Sequence, residues 1–157
     1  MQQREQVRMT TAEVDDFLRG RRVMNVATIG ADHRPHVVAM WYGWSPDGRL
    51  AFATYRRSQK IRNLQRSPML TALVEDGEQY DELRGVQLVC DVTLTDDSHV
   101  VNAIGESLYS RYHAEREGPL TDELRPLVHA GMAKRTAVLL DVIDTTTWDH
   151  SKLRSGA

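Results

Sequence analysis

Three apolar runs between residues 23 and 55 are separated by turns too short to hold a crossover, and that spacing restricts the chain to antiparallel pairing. Val23–Ile29 ends at the turn Gly30-Ala-Asp-His-Arg-Pro35, His36–Trp44 ends at Ser45-Pro-Asp-Gly48, and Arg49–Tyr55 completes the set. Parallel neighbours would need a connection of about a dozen residues, whereas hairpins close over a few. Three more strands are expected at Met69–Val74, Val86–Thr95 and Thr136–Thr147, the last rich in β-branched residues. Helices should fill the gaps. Thr10-Thr-Ala-Glu13 reads as a capping box for a helix that ends near Gly20 and shows Val14, Phe17 and Leu18 on one face. A basic helix follows Tyr55 and stops before Pro68, Val100 to Glu117 is helical, and Thr121–Gly131 holds a short helix. Glu75–Gly85 reads as a polar loop. Six strands with few helices predict a mainly β (α+β) chain, a small antiparallel barrel carrying peripheral helices.

Composition bounds the rest. With 157 residues, 41% of them hydrophobic and 27% charged, the chain suits one globular domain over residues 1–157, with residues 1–9 as a flexible tail. A net charge of −2 gives no global attraction to nucleic acid or an acidic membrane, so any basic site must be local. The single Cys90 excludes an internal disulfide, and no Cys/His cluster has zinc spacing, so no metal site is expected. No apolar run reaches membrane-spanning length and the polar N-terminus lacks a signal-peptide core, which makes the cytoplasm the expected location.

One segment carries a chemical conflict. Ala51–Tyr55 runs into Arg56-Arg-Ser-Gln-Lys-Ile-Arg62, and no Asp or Glu lies between Gly48 and Glu75. Ser58 suits the N-cap, where its hydroxyl could accept from an early amide. Four cations beside a helix N-terminus oppose the macrodipole, and an anion held by amides, hydroxyl and cations would resolve the conflict. A solvated, Arg-rich helix is the alternative.

Ordinary catalytic constellations are missing: the six histidines show no HExxH spacing, and no nucleophile elbow or Walker loop exists. Asp96-Asp97 reads as a helix cap rather than an acid/base pair, and Cys90 as a small buried filler. In Met40-Trp-Tyr-Gly-Trp44, alternation separates Met40, Tyr42 and Trp44 from Trp41. That run could fill a barrel and support a subunit contact, or wall a planar ligand. Trp148, so near the C-terminus, suggests docking against something, a second subunit among the options.

Four ordered segments carry a resemblance: Arg34–Tyr42, Phe52–Lys60, Tyr80–Val86 and Trp148–Lys152. Together they resemble the pyridoxamine-phosphate-oxidase-like split β-barrel superfamily, and more narrowly its actinobacterial deazaflavin-dependent oxidoreductases, which use coenzyme F420. The resemblance spans Thr10 to Leu153. It implies a six-stranded split barrel, a homodimer with cofactor sites at the subunit interface, and a phosphate cradle on Thr54, Arg57, Ser58 and Lys60. It also implies that Val37, Val38, Ala39, Met40 and Trp41 run along the deazaflavin ring. Tyr80 and Arg84 match a loop approaching the cofactor, and Trp148 and Lys152 a segment reaching it from the other subunit. Cys90 stands where relatives have Gly and Ala39 where many have Pro, and both could reshape the pocket. The implied activity is hydride transfer from reduced F420 to an electron-poor quinone, tetrapyrrole or unsaturated carbonyl, with solvent or a hydroxyl such as Tyr42 delivering the proton. Two alternatives remain: an FMN flavoprotein of the same barrel, and a non-catalytic flavin, haem or deazaflavin carrier.

Overall fold

Thr10 starts the first long helix by a reciprocal pair: its Oγ1 accepts from the Glu13 N–H (3.2 Å), and Glu13 Oε2 accepts from the Thr10 N–H (2.6 Å). Two amides that a helix start leaves orphaned are thereby satisfied. The computed structural model describes residues 3–20 and 23–156. In chain order the elements are α1 (Gln3–Gln6), α2 (Thr11–Gly20), β1 (Met24–Ile29), β2 (Pro35–Met40), β3 (Gly43–Trp44), β4 (Leu50–Tyr55), α3 (Gln59–Arg66) and β5 (Met69–Asp76). β6 (Arg84–Thr95), α4 (Ser98–Tyr112), α5 (Ala114–Glu117), α6 (Arg125–Met132) and β7 (Arg135–Asp149) complete the set, with 3-10 turns at Tyr80–Glu82 and His150–Gly156.

All seven strands form one antiparallel sheet in the order β2-β1-β5-β6-β7-β4-β3. Its two edge strands, β2 and β3, are consecutive in the chain and only Trp41 and Tyr42 lie between them. Three residue steps reach at most about 10 Å, so the sheet must curl until its opposite edges approach. This is the split barrel, with one strand more than the six expected. His36–Trp44 is two strands rather than one, because the chain leaves one edge and joins the other at Trp41-Tyr42. Along β7 an extra residue, Ile143, lies opposite the Val89/Cys90 step of β6 and bends the longest ribbon.

Barrel residues Met24, Val26, Tyr42, Phe52, Val74, Val86 and Val138 are fully buried with Ile61 of α3, and Phe17 and Leu18 of α2 join this core. On the other face of β4 and β7, Ala51, Ala53, Ala137 and Leu139 pack against Val101, Ile104 and Met132 of α4 and α6. Small side chains there let the helices approach closely, so β4 and residues 136–140 of β7 are buried on both faces.

Two expectations need correction. The segment read as a flexible tail instead docks: Val7 and Met9 are buried, Val7 O accepts from the Asp149 N–H (2.7 Å), and the Met9 N–H donates to Thr147 Oγ1 (3.0 Å). Met1 and Gln2 of that tail lie outside the described residues. Gly85 ends no loop but sits inside β6 opposite Trp148, whose ring lies where a Cβ would fall, 2.1 Å from Cζ2. Asp97 does cap α4, its carboxylate accepting from the Val100 N–H at 3.1 Å. No helix among the described residues is long and apolar enough to cross a membrane.

Candidate functional site

The basic segment places its charges on a helix that is anchored from below. Fully buried Asn63 of α3 donates to Thr28 Oγ1 on β1 (2.9 Å), and its carbonyl oxygen accepts from Gln59 and Arg66. Arg66 also donates to the Ile29 carbonyl at 2.7 Å. With that end fixed to β1, the α3 N-terminus is held against the end of β4. Ser58 occupies the N-cap with extended backbone angles, but its hydroxyl makes no cap bond. Its Oγ is shielded from solvent and has no hydrogen-bond partner, which is costly in a native fold. Lys60, half-buried two residues on, donates to Thr54 Oγ1 at 2.9 Å, and no described carboxylate pairs with it. Burial, and then the nearby Arg135 cation, push its ammonium below the ordinary lysine value.

Thr54 itself is buried on β4. Arg56, Arg57, Tyr55 and Lys134 line a cleft of about 450 Å³ beside this corner. There Arg56 pairs with Asp96 (3.1 Å), while the Arg135 guanidinium lies 4.5 Å over the Tyr55 ring. A shielded hydroxyl, an ammonium with no described carboxylate partner and further cations lie within one short segment at a helix start. This donor set fits a phosphate-sized anion.

From Arg135 a groove of about 550 Å³ runs along the end of β2. Ala39, Met40 and Trp41 form one side, Ala53 lies on β4, and Leu108, Tyr109 and His113 of α4 face Leu127, Val128 and Met132 of α6. Trp41 stacks on Tyr112 with ring centres 4.3 Å apart and planes 3° from parallel. The groove therefore offers flat aromatic and apolar walls leading to a cationic end, a shape suited to a planar ligand carrying an anionic tail. Val37 and Val38 continue β2 away from it, with Val37 exposed on the sheet edge.

Tyr80, Arg84, Trp148 and Lys152 gather elsewhere. Arg84 pairs with Asp76 at 3.0 Å and lies over the Phe17 ring. Tyr80 is exposed beside His150, whose Nδ1 donates to the Tyr80 carbonyl at 2.8 Å. The Lys152 ammonium donates to Glu13 (2.7 Å) and to the Arg8 carbonyl (2.8 Å). On β7, Thr136 opposes Thr54 and Trp148 opposes Gly85. Twelve residue steps at about 3.3 Å each separate those two positions, a span of up to about 40 Å. Within one chain the structure brings the cradle and the β2 end together and leaves these four residues at the opposite end.

One further reading changes. Tyr42 is fully buried, and its hydroxyl donates to the Leu18 carbonyl. Cys90 sits in the barrel core, where burial pushes its thiol up to about 11, whereas Ala39 lines the groove. The sequence did not single out Arg135, His113 or the α6 residues. Their one local signal was the apolar face of α4, which gave no hint of what it would meet.

A family model described as pyridoxamine 5'-phosphate oxidase matches residues 10–149. No curated protein matches the chain by sequence. Among solved structures, a conserved hypothetical protein of Mycobacterium tuberculosis is 39% identical with a TM-score of 0.89, over 98% of this chain and 93% of the other. A protein described as an F420 reductase is 26% identical with a TM-score of 0.62, over 83% and 94%. The heme storage protein of Vibrio cholerae, 16% identical with a TM-score of 0.62 over 85% and 90%, shares the fold.

Proposed function

This chain belongs to the pyridoxamine 5'-phosphate oxidase family, which takes flavin-type cofactors, and from that premise we propose that it is a reductase using coenzyme F420. The observation that carries the reading is the pairing of a shielded, unpartnered Ser58 Oγ with a Lys60 ammonium that lacks a carboxylate partner. Thr54, Arg57, Ser58 and Lys60 hold the cofactor phosphate, and Ala39 to Trp41 border its ring. Reduced deazaflavin supplies a hydride, and the acceptor is an electron-poor quinone, tetrapyrrole or unsaturated carbonyl. The protein's part is to bind, orient and exclude water along the groove.

Two findings favour the deazaflavin over FMN. One is the likeness to an F420 reductase at 26% identity. The other is the cleft beside the cradle, where Arg57 and Lys134 give cations to a cofactor with more acid than its phosphate alone, Arg56 there being paired with Asp96. Arg84, also considered for that acidic tail, is committed to Asp76 at the other end of the molecule. FMN is the second reading, because the cradle's chemistry serves either phosphate. The span between cradle and Trp148 supports a site completed by a second copy, which would bring its own Tyr80, Arg84, Trp148 and Lys152 to the first copy's cradle.

Titration with F420 and FMN, followed by tryptophan fluorescence, tests this directly, since Trp41 borders the groove. Tighter binding of F420, with oxidation of its reduced form by a quinone or enone, supports the reductase. Tighter binding of FMN moves the protein to the flavin reading. Binding of neither removes the cofactor site.

A further inference from the structure

Hydride transfer to a conjugated acceptor also needs a proton, and Tyr42 is too deeply buried to give it. We propose that His113 is the proton donor, an inference that rests on the reductase reading above. His113 ends α4 and lines the groove on the side facing Met40 and Trp41. Its ring stands edge-on to Trp41 (centres 5.6 Å apart, planes at 78°) and stacks on Tyr109 at 5.5 Å. Nδ1 lies 3.1 Å from Glu117 Oε1. An ionised carboxylate only accepts, so Nδ1 carries the proton in that bond, and the partner fixes which nitrogen does the work. Nε2 has no hydrogen-bond partner among the described residues.

The Tyr109 phenol lines the same groove, but its hydroxyl donates to the Gly118 carbonyl at 3.3 Å. Of the five remaining histidines, none lines the groove, and His129 is bound to Glu106 at 2.7 Å. Charged and titratable groups facing His113 are Glu117, Glu115 and Arg116 on the outer cleft, the Tyr109 and Tyr112 phenols on its own helix, and Arg135 across the groove. That outer cleft, about 640 Å³ and shared with Trp41, gives the half-exposed imidazole a route to water.

The step balances simply. An acceptor whose electron-poor carbon took up the hydride that a bound deazaflavin would supply would pass its π pair to the conjugated oxygen. That oxygen takes the proton from Nε2–H of the imidazolium. A neutral imidazole remains, its Nδ1–H still donating to Glu117, and it regains a proton from water.

The test begins with the wild-type protein, F420 and cyclohexenone. His113→Gln should lower kcat about 100-fold, the low end for general acid catalysis, and keep the F420 Kd within about threefold. Added imidazole should restore rate to His113→Ala, which a purely structural role would not allow. In NMR spectra of the wild type, the ring signals missing from His113→Gln should shift when oxidised F420 is added without acceptor. A kcat within threefold of wild type, no imidazole rescue, or unmoved ring signals would each overturn the proposal. A wild type that fails to bind F420, or binds it without turnover, fails earlier and sinks the reductase reading with it.

Discussion

Replacing Lys60 with Met separates a ligand-holding cation from a structural one, because the two roles give opposite signs. The methionine keeps most of the buried stem and removes the ammonium. Without ligand, the wild-type charge is opposed by burial and by Arg135, and its visible compensation is the 2.9 Å bond to Thr54. Losing that bond costs about 0.5–1.5 kcal/mol, and relief of burial and repulsion offsets it, so the unliganded fold should change by no more than about 1 kcal/mol. For a chain of this size that is a Tm shift of about 2–4 °C. Binding is different. A charge-assisted bond to a phosphate, lost from a half-buried site, is worth about 1.5–3 kcal/mol, which raises Kd about 10- to 150-fold. Arg49→Ala is the control, since Arg49 is engaged by Asp47 and Asp141 at 2.8 and 3.0 Å, and it should leave Kd within about twofold. A pH series adds a second sign. The folded-state value of Lys60 is depressed, so below it the charge destabilises the unliganded fold. The unfolded chain binds more protons between that value and the ordinary lysine value, so wild-type stability should rise there relative to Lys60→Met. Calorimetric melts and fluorescence titration read both quantities. Unchanged F420 and FMN affinity in Lys60→Met, or loss of the fold, would refute the cradle argument.

Three other outcomes follow from particular contacts. Tyr42→Phe removes the buried bond to the Leu18 carbonyl and should cost about 1 kcal/mol, seen as a lower Tm, while turnover stays unchanged; lost turnover would reinstate Tyr42 as proton donor. In Gly85→Ala the new methyl meets the Trp148 ring, a rigid group, so the ring must move; about 1–3 kcal/mol of destabilisation and a shifted tryptophan emission are expected in chemical denaturation. Hydrogen bonds from Lys152 and from the Thr10 amide hold the Glu13 carboxyl at about 2. A depressed carboxyl contributes stability above its ordinary value and loses it as pH falls. The Tm gap between wild type and Glu13→Gln should therefore shrink as pH falls from 4.5 towards 2.

The local rules written into the chain determined most of the architecture. Short turns fixed antiparallel pairing, the Thr10–Glu13 box fixed the start of α2, Pro68 fixed the end of α3, and Asp97 fixed the start of α4. The candidate anion site was legible for the same reason: Thr54, Arg57, Ser58 and Lys60 lie within seven residues, and the absence of acids around them can be read directly. Long-range closure was not. No local preference announces that β2 and β3 are opposite edges of one sheet, because that break at Trp41-Tyr42 depends on how far the sheet curls. Arg135 joins Lys60 only through β4–β7 pairing, about 80 residues apart in the chain, and His113 meets Trp41 only because Ala51 and Ala53 let α4 settle onto β4. Tyr42 carries the same lesson in reverse, since alternation placed it on a face and packing decided that the face was the core. Sequence set the elements and the anion-seeking charge; the curl of the sheet decided which aromatic wall and which histidine stand beside it.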